Sequence, residues 1–129
     1  MIAVITKRAD FLAANSGTRN ARAGFVLLTR PNAGPDGGKG IRFGITVTKK
    51  IGNAVVRNRM KRRFRELLRA ALPTHGLPDH DHVLIGRAGG VERDFALLAD
   101  ELAQALTRAR EGKGDPAYGR RPRRGNRRK

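Results

Sequence analysis

Cysteine and tryptophan are absent from the 129 residues of the chain, and aromatic residues make up only 5% of it. Without cysteine, the chain can form neither a disulfide framework nor a thiolate zinc site, which excludes zinc fingers. Proteins that bind single-stranded nucleic acid by stacking use aromatic side chains as platforms. The shortage of aromatics therefore predicts that any affinity for nucleic acid rests mainly on phosphate contacts.

Long apolar runs are also missing from the sequence. No stretch in residues 1–28 approaches the roughly 20 apolar residues of a transmembrane helix, and the apolar region of a signal peptide is not found there. We therefore expect a cytoplasmic protein without a membrane partner.

Acidic residues are few, because 11 Asp and Glu stand against 28 Lys and Arg, which gives a formal net charge of +17. Such an excess of one sign favours a polyanionic partner, and nucleic acid is the leading class. The length suits one compact domain. We place this nucleic-acid-binding domain at residues 1–111. Residues 112–129 are rich in Gly, Pro and Arg and are expected to form a disordered basic tail. We favour an additional nucleic-acid anchor as its role, and the alternative is a solubilising end.

The first half of the chain predicts a helix followed by strands. Residues 6–14 suit a short helix packed through Phe11, and the apolar run at 24–29 suits a strand. A glycine-rich hairpin loop at 32–40 leads to another strand from Ile41, in which apolar and polar residues alternate. One face of that strand is expected to lie in the core.

The second half of the chain shows a helical period twice. Asn53 is expected to cap a long helix that Pro73 terminates. A strand within residues 81–88 and an amphipathic helix over 91–109 complete the chain. The predicted fold class is α+β: a two-layer sandwich with a central, mostly four-stranded sheet in the order helix, strand, strand, strand, helix, strand, helix. The additional strand is placed within residues 41–51.

The long helix is basic on every side except one. The apolar stripe that must face the core consists of Val56, Met60, Phe64, Leu67 and Ala71. Between Lys49 and Arg69 the only acidic residue is Glu66. A helix that is merely solvated normally interleaves acids for i,i+4 pairing. The pattern therefore favours a phosphate-binding surface over a solvated face, with Lys49 and Lys50 at its entrance.

The segment from Arg42 to Glu66 resembles the signature of the bacterial ribonuclease P protein family. It contains Arg-Asn-Arg-x-Lys-Arg-x-x-Arg-Glu at residues 57–66, preceded by Lys-Lys-x-Gly-Asn-Ala at residues 49–54. The flanking elements agree in order, so the resemblance covers residues 7–110. It implies a left-handed βαβ crossover through the basic helix, which is a rare connection.

The resemblance also implies a function. The chain would be a subunit of a ribonucleoprotein endoribonuclease, in which the RNA subunit performs the hydrolysis with bound Mg²⁺, and the protein would supply no catalytic residue and no metal ligand. As a monomer in a 1:1 complex, it would bind the catalytic RNA and the 5′ leader of precursor tRNA, and so promote maturation of the tRNA 5′ end. The implied RNA contacts are Lys49, Lys50, Asn53, Arg57, Asn58, Arg59, Lys61, Arg62 and Arg65. The implied leader cleft contains Phe11, Arg42 and Thr46.

Departures from the family and two other protein classes limit this interpretation. Asn15 stands where many family members have an aromatic residue, and Leu28 stands where some have tyrosine. These two positions therefore supply no aromatic ring for stacking on the leader. A ribosomal protein or RNA chaperone, and an autonomous endoribonuclease, remain alternatives. The cluster Asp79–His82 is interpreted as a polar turn, because four adjacent ligands in an extended loop cannot converge on one metal ion. The sequence offers no carboxylate pair for two-metal phosphodiester cleavage.

Overall fold

The computed structural model describes residues 2–35 and 37–115, and within them the chain forms a five-stranded sheet and three helices. The elements in chain order are β1 (Ile2–Val4), α1 (Arg8–Ala14), β2 (Thr18–Ala21), β3 (Phe25–Pro31), β4 (Ile41–Thr46), α2 (Ala54–His75), β5 (His80–Gly86) and α3 (Phe95–Arg110). The predicted α+β class is confirmed. The sheet has one strand more than predicted, and a strand rather than a helix comes first. The additional strand predicted within residues 41–51 is not formed, because Lys49–Ile51 is a 3₁₀ turn. β1 and β2, which were not predicted, bring the sheet to five strands.

The strand order β1-β4-β5-β3-β2 places β5 at the centre of the sheet. β4 and β5 are parallel neighbours joined by α2, as the predicted βαβ unit requires. β3 pairs antiparallel with β5 on the other side. The loop at residues 32–40 is therefore not a hairpin, and that prediction was wrong. β5 is buried along most of its length and lies at the centre of the sheet. β3 and β4 therefore each pair with β5 and not with each other.

Helices α2 and α3 pack on one face of the sheet and form the larger core. The buried residues are Met60, Phe64, Leu67, Leu68 and Leu72 of α2 and Leu98, Leu102, Ala105, Leu106 and Ala109 of α3. Phe64 meets Phe25 of β3 edge to face, with ring centroids 6.3 Å apart. The predicted stripe missed Leu68 and Leu72, because α3 widens the side of α2 that is covered.

Helix α1 lies on the opposite face of the sheet. Ala14 is buried there with Val26, Leu28 and Val83, and Phe11 packs against this smaller cluster. The predicted burial of α1 through Phe11 is therefore confirmed. The two faces of the sheet carry separate cores, and β3 and β5 contribute side chains to both.

Both ends of α2 test the sequence signals. The predicted cap is confirmed, because the Asn53 side chain accepts a hydrogen bond from the Val56 N–H at 3.0 Å. The predicted end at Pro73 was wrong, since α2 continues to His75 with Pro73 inside it. A proline in the last turn removes only its own hydrogen bond. Leu72 and Leu77 are buried on either side and hold this turn against the core.

The chain beyond α3 returns to the edge strand β2. The Lys113 carbonyl accepts a hydrogen bond from the Asn20 amide at 3.3 Å, and the Asp115 N–H donates to the Arg19 carbonyl at 2.6 Å. The Ala21 N–H donates to the Asp115 carboxylate at 2.6 Å. The predicted tail therefore begins too early, because residues 113–115 belong to the folded unit. The rest of that tail, residues 116–129, lies outside the described residues.

Within the part of the chain that the structure describes, no helix is both long and apolar enough to cross a membrane. The longest helix, α2, carries its basic residues along most of its length.

Candidate nucleic-acid interface

The outer side of α2 forms a basic surface, which we call the cationic face. It consists of Arg57, Asn58, Arg59, Lys61, Arg62, Arg65 and Arg69, of which Arg57 and Lys61 are half-buried and the others exposed. Across residues 2–35 and 37–115, no acidic group lies within ion-pair distance of Arg62 or Arg65. Their guanidinium forks are therefore free to bind phosphate oxygens.

The N-terminal end of α2 extends the cationic face. Lys49 and Lys50 are exposed in the 3₁₀ turn just before the helix. Arg57 ties the helix to this turn, because its Nη1 donates to the Gly52 carbonyl at 3.1 Å. Asn53 uses its side-chain oxygen as the cap, which leaves its NH₂ group available as a hydrogen-bond donor. A helix N-terminus carries a partial positive charge, so both lysines and the helix favour an anion at the same place.

A cleft opens between α1 and the sheet, and we call it the α1 cleft. Its larger part has a volume of about 400 Å³ and is lined by Thr6, Arg8, Phe11, Ile45, Thr46, Val47 and Lys61. Its smaller part, of about 190 Å³, is lined by Arg8, Phe11, Leu12, Asn15, Leu28, Thr46, Val83 and Ile85. Phe11 and Thr46 border both parts. Lys61 belongs to α2, so the α1 cleft is continuous with the cationic face.

The ring of Phe11 lies directly on the backbone of β4. A Cβ atom at Gly44 would lie 2.5 Å from Cε1 of that ring, so only glycine at this position lets the ring come so close. Phe11 is half-buried, and one part of it packs against the smaller core while the rest faces the α1 cleft. The structure therefore brings Phe11 and Thr46 together, as the sequence predicted.

Arg42, the third residue predicted for the leader cleft, is bound inside the protein. Its Nε and Nη2 each lie 2.7 Å from the carboxylate of Asp81, and its Nη1 lies 3.5 Å from Asp10 of α1. The Asn32 amide also donates to Asp81, at 2.9 Å. Burial alone would raise the pKa of Asp81, but the hydrogen bonds from Arg42 and Asn32 hold it below its usual range. Arg42 lines neither part of the α1 cleft and instead joins α1 to β4 and β5.

His82 completes this group, which we call the Arg42 cluster (Asp10, Asn32, Arg42, Asp81 and His82). The Leu77 N–H donates to Nε2 of His82 at 3.1 Å, so the proton sits on Nδ1, which lies 3.0 Å from the Arg42 carbonyl. Burial of the ring lowers its pKa to about 4. In the described residues no three His, Asp or Glu side chains converge on one point, and the polar atoms of Asp81 and His82 already have partners, so this group does not fit a metal ion.

One basic residue of α2, Arg63, binds inside the protein, which the sequence pattern did not predict. Arg63 is half-buried and donates to backbone carbonyls of residues 90–93 rather than facing outward. Its spacing on the helix does not distinguish it from Arg59, and its partners lie 27–30 residues away in sequence. Only the packed position of the segment before α3 identifies this contact.

The comparisons with known proteins agree on one family. The family model described as Ribonuclease P matches residues 3–110. The chain is 71% identical over 119 residues to the ribonuclease P protein component of Erythrobacter litoralis, covering 92% of this chain and 95% of that protein. It is 44% identical over 106 residues to the corresponding protein of Ruegeria pomeroyi, covering 81% and 84%.

Solved structures give the same result for the fold. The RNase P protein of Staphylococcus aureus is similar with a TM-score of 0.67 and 31% identity, covering 82% of this chain and 94% of that one. The RNase P protein of Thermotoga maritima is similar with a TM-score of 0.68 and 30% identity, covering 81% and 94%. The matched region contains both the cationic face and the α1 cleft.

Proposed function

Because the chain belongs to the ribonuclease P protein family, we propose that it binds the catalytic RNA of the complex with its cationic face and the 5′ leader of precursor tRNA in its α1 cleft. The chain is a protein component of a tRNA-processing endoribonuclease. In this proposal the protein promotes endonucleolytic removal of the leader as a monomer in a 1:1 complex. The RNA subunit performs the hydrolysis.

The RNA-binding part of the proposal rests on charge and exposure. The proposed contacts are Lys49, Lys50, Asn53, Arg57, Asn58, Arg59, Lys61, Arg62 and Arg65. Most of these side chains are exposed on one side of α2 or at its entrance, and the guanidinium groups of Arg62 and Arg65 are unpaired within the described residues. Such contacts neutralise phosphates and release counterions, so the affinity should fall steeply as salt rises.

The leader-binding part rests on the geometry of the α1 cleft. Phe11 offers a ring face for one base, and Thr46 borders the cleft on both sides of that ring. Arg42 acts through position, because its contact with Asp10 holds α1 above the sheet. The observation that carries the proposal is the place of Lys61, which lies on the cationic face and also lines the cleft. A single surface thereby serves the RNA and the leader.

Mg²⁺ enters the proposal only through the RNA partner. The carboxylate of Asp81 is bound by Arg42 and Asn32, and both ring nitrogens of His82 have partners. These residues hold α1 and the sheet together, and we assign the protein no step of the hydrolysis.

Reconstitution with the cognate catalytic RNA tests the proposal. The protein alone should leave precursor tRNA intact, whereas the complex should remove the leader at Mg²⁺ concentrations at which the RNA alone is slow. Cleavage by the purified, RNA-free protein would instead support an autonomous nuclease. Co-sedimentation with ribosomal subunits, without any effect on leader removal, would support a ribosomal role.

The double variant Arg62→Ala, Arg65→Ala tests the cationic face directly. In a plot of the logarithm of RNA affinity against the logarithm of salt concentration, the slope is negative. Its magnitude should decrease by roughly 1.4–1.8, because each lost phosphate contact removes about 0.7–0.9. The control is Lys39→Ala, Lys113→Ala, which removes the same charge from exposed positions away from α2. An equal decrease in both variants would mean that net charge, and not this face, determines binding.

A further inference from the structure

Arg63 uses its guanidinium group inside the protein, against the segment that joins β5 to α3. We call residues 87–94 the β5–α3 connection. Nη1 of Arg63 lies 3.2 Å from the Val91 carbonyl, and Nη2 donates to the Arg93 carbonyl. The guanidinium carbon lies 5.8 Å from the centre of the Phe95 ring, within cation–π distance. Two donors and one aromatic contact therefore fix this segment beside α2.

The β5–α3 connection is also held from its other sides. Arg93 forms a two-point ion pair with Glu101 of α3, at 2.9 and 2.7 Å. The backbone of Gly90 packs so closely on Gly24 that a Cβ atom would lie 2.5 Å from the Gly24 carbonyl oxygen. The connection thus has one fixed position relative to α2, α3 and the sheet, and Arg63 is its link to α2.

This position brings an acid to the border of the cationic face. The side chain of Glu92 is 79% exposed, and its Oε2 lies 3.8 Å from Nη1 of Arg59, which is 59% exposed. An ion pair so exposed contributes little to stability. It does change the potential that an approaching phosphate meets, because Glu92 adds a negative charge on the Arg59 side of α2. The opposite flank, with Arg57 and Lys61, leads to the α1 cleft.

We propose that Arg63 is a positioning residue that holds Glu92 beside Arg59, so that the RNA surface of α2 ends at an acidic border. The inference rests on the proposed function of α2 as the RNA surface. Glu92 weakens the attraction for phosphates on the Arg59 side relative to the Lys61 side, which directs the RNA backbone toward the α1 cleft. Arg63 itself makes no RNA contact.

A double-mutant cycle in the full-length chain, with the cognate catalytic RNA as ligand, tests the coupling. Glu92→Gln should tighten binding about two- to three-fold at low salt, because one repulsive charge is removed, and the gain should shrink as salt rises. Arg63→Lys keeps the positive charge but cannot bridge two carbonyls and a ring. In the Arg63→Lys background, the effect of Glu92→Gln should therefore fall toward none. An equal effect of Glu92→Gln in both backgrounds would overturn the inference.

Hydrogen exchange in the free protein gives a second readout that involves no RNA. The amides of residues 88–94 should exchange faster in Arg63→Lys than in the original chain, and Arg62→Lys on the same helix is the matched control. Unchanged exchange in Arg63→Lys would also overturn the inference. The proposed function is tested separately by Arg62→Gln: if the salt slope stays the same, the RNA surface itself is wrong. If that slope decreases but the coupling is missing, only the acidic border fails.

Discussion

The cationic face and the Arg42 cluster use the same kind of side chain in opposite ways. Arg62 and Arg65 are exposed and have no acid within reach in the described part of the chain, whereas the side chain of Arg42 is only 15% exposed and has two carboxylate partners. The first arrangement leaves charge available for a ligand. The second consumes it within the protein. Burial and partners, rather than residue type, decide which arginines serve binding and which serve the fold.

Removal of Arg42 should have a larger effect on stability than any other substitution considered, because Arg42 is bound inside the protein and Arg62 is not. Arg42→Met leaves the carboxylate of Asp81, which is 1% exposed, without its main partner. An uncompensated buried charge costs about 3–5 kcal/mol, so the free energy of unfolding measured in urea should decrease by that amount. Arg62→Met should stay within about 0.5 kcal/mol of the original chain.

A second substitution at Asp81 distinguishes the unpaired carboxylate from lost packing as the cause of this decrease. Adding Asp81→Asn to Arg42→Met removes the buried charge and should restore part of the lost stability. If the double variant is no more stable than Arg42→Met, the loss comes from packing of the Arg42 side chain and not from the unpaired carboxylate.

The next largest effect is a dependence of stability on pH that arises from His82 in the Arg42 cluster. The pKa of His82 is about 4 in the folded chain, below the ordinary 6.5. The unfolded state therefore binds the proton more readily. The stabilising effect of the neutral ring is fully present above pH 6.5 and is lost as the pH falls from 6.5 through 4. The loss amounts to at most about 3 kcal/mol.

Urea unfolding at several pH values between 7.5 and 4 measures this loss. His82→Gln should flatten the profile in that window, while His80→Gln, on the neighbouring half-buried position, should not. A profile for His82→Gln that is as steep as that of the original chain would assign the acid sensitivity to other groups. The pKa of Asp81 lies below its usual range, so protonation of Asp81 reduces stability only at more acidic pH.

Substitutions in the α1 cleft should have a moderate effect on the binding of precursor tRNA. In the reconstituted complex, Phe11→Ala should weaken binding of precursor tRNA relative to mature tRNA by about 1–3 kcal/mol, the amount typical of a stacked base. Gly44→Ala keeps the ring but forces it away from β4, and it should shift the same ratio. Gly34→Ala is the control, because no heavy atom lies within 4 Å of the added carbon. A normal ratio in a destabilised Phe11→Ala variant would make Phe11 a core residue only.

The smallest change in stability is expected from the basic C-terminal residues. Deletion of residues 116–129 removes seven basic side chains, should leave the melting temperature nearly unchanged, and should weaken RNA binding mainly at low salt. Deletion from Lys113 onward also removes the hydrogen bonds to β2, and it should lower stability by about 1–2 kcal/mol. Movement of the cleavage position after the shorter deletion would show that these residues recognise a defined RNA feature instead of binding diffusely.

The parts of the structure that sequence could predict are those set by local signals. The cap at Asn53, the burial of Met60 and Phe64, and the alternation from Ile41 follow from spacing along the chain, and all are confirmed. The outward position of Arg62 follows from the same wheel. That it contacts RNA stays a prediction.

The missed features depend on residues far apart in the chain. β2 is short and polar, and it forms a strand because β3 pairs with it and Arg108 of α3 binds the buried Asn20 at 2.9 Å. Asp81, the main carboxylate partner of Arg42, lies 39 residues away, and the carbonyl partners of Arg63 lie 27–30 residues away. No local pattern distinguishes these arginines from exposed ones, because their roles are set when distant segments pack together.

The central position of β5 also constrains how the chain can fold during synthesis. β5 leaves the ribosome after the other four strands, yet it is the only link between the pair β1–β4 and the pair β2–β3 among the described residues. Two-stranded pieces are at best marginally stable alone, and non-local pairing slows folding. We expect nascent chains that stop before His80 to have no stable sheet. Until β5 has joined, α2 has no stable sheet to pack against, so the cationic face has a defined position only after this last strand is in place.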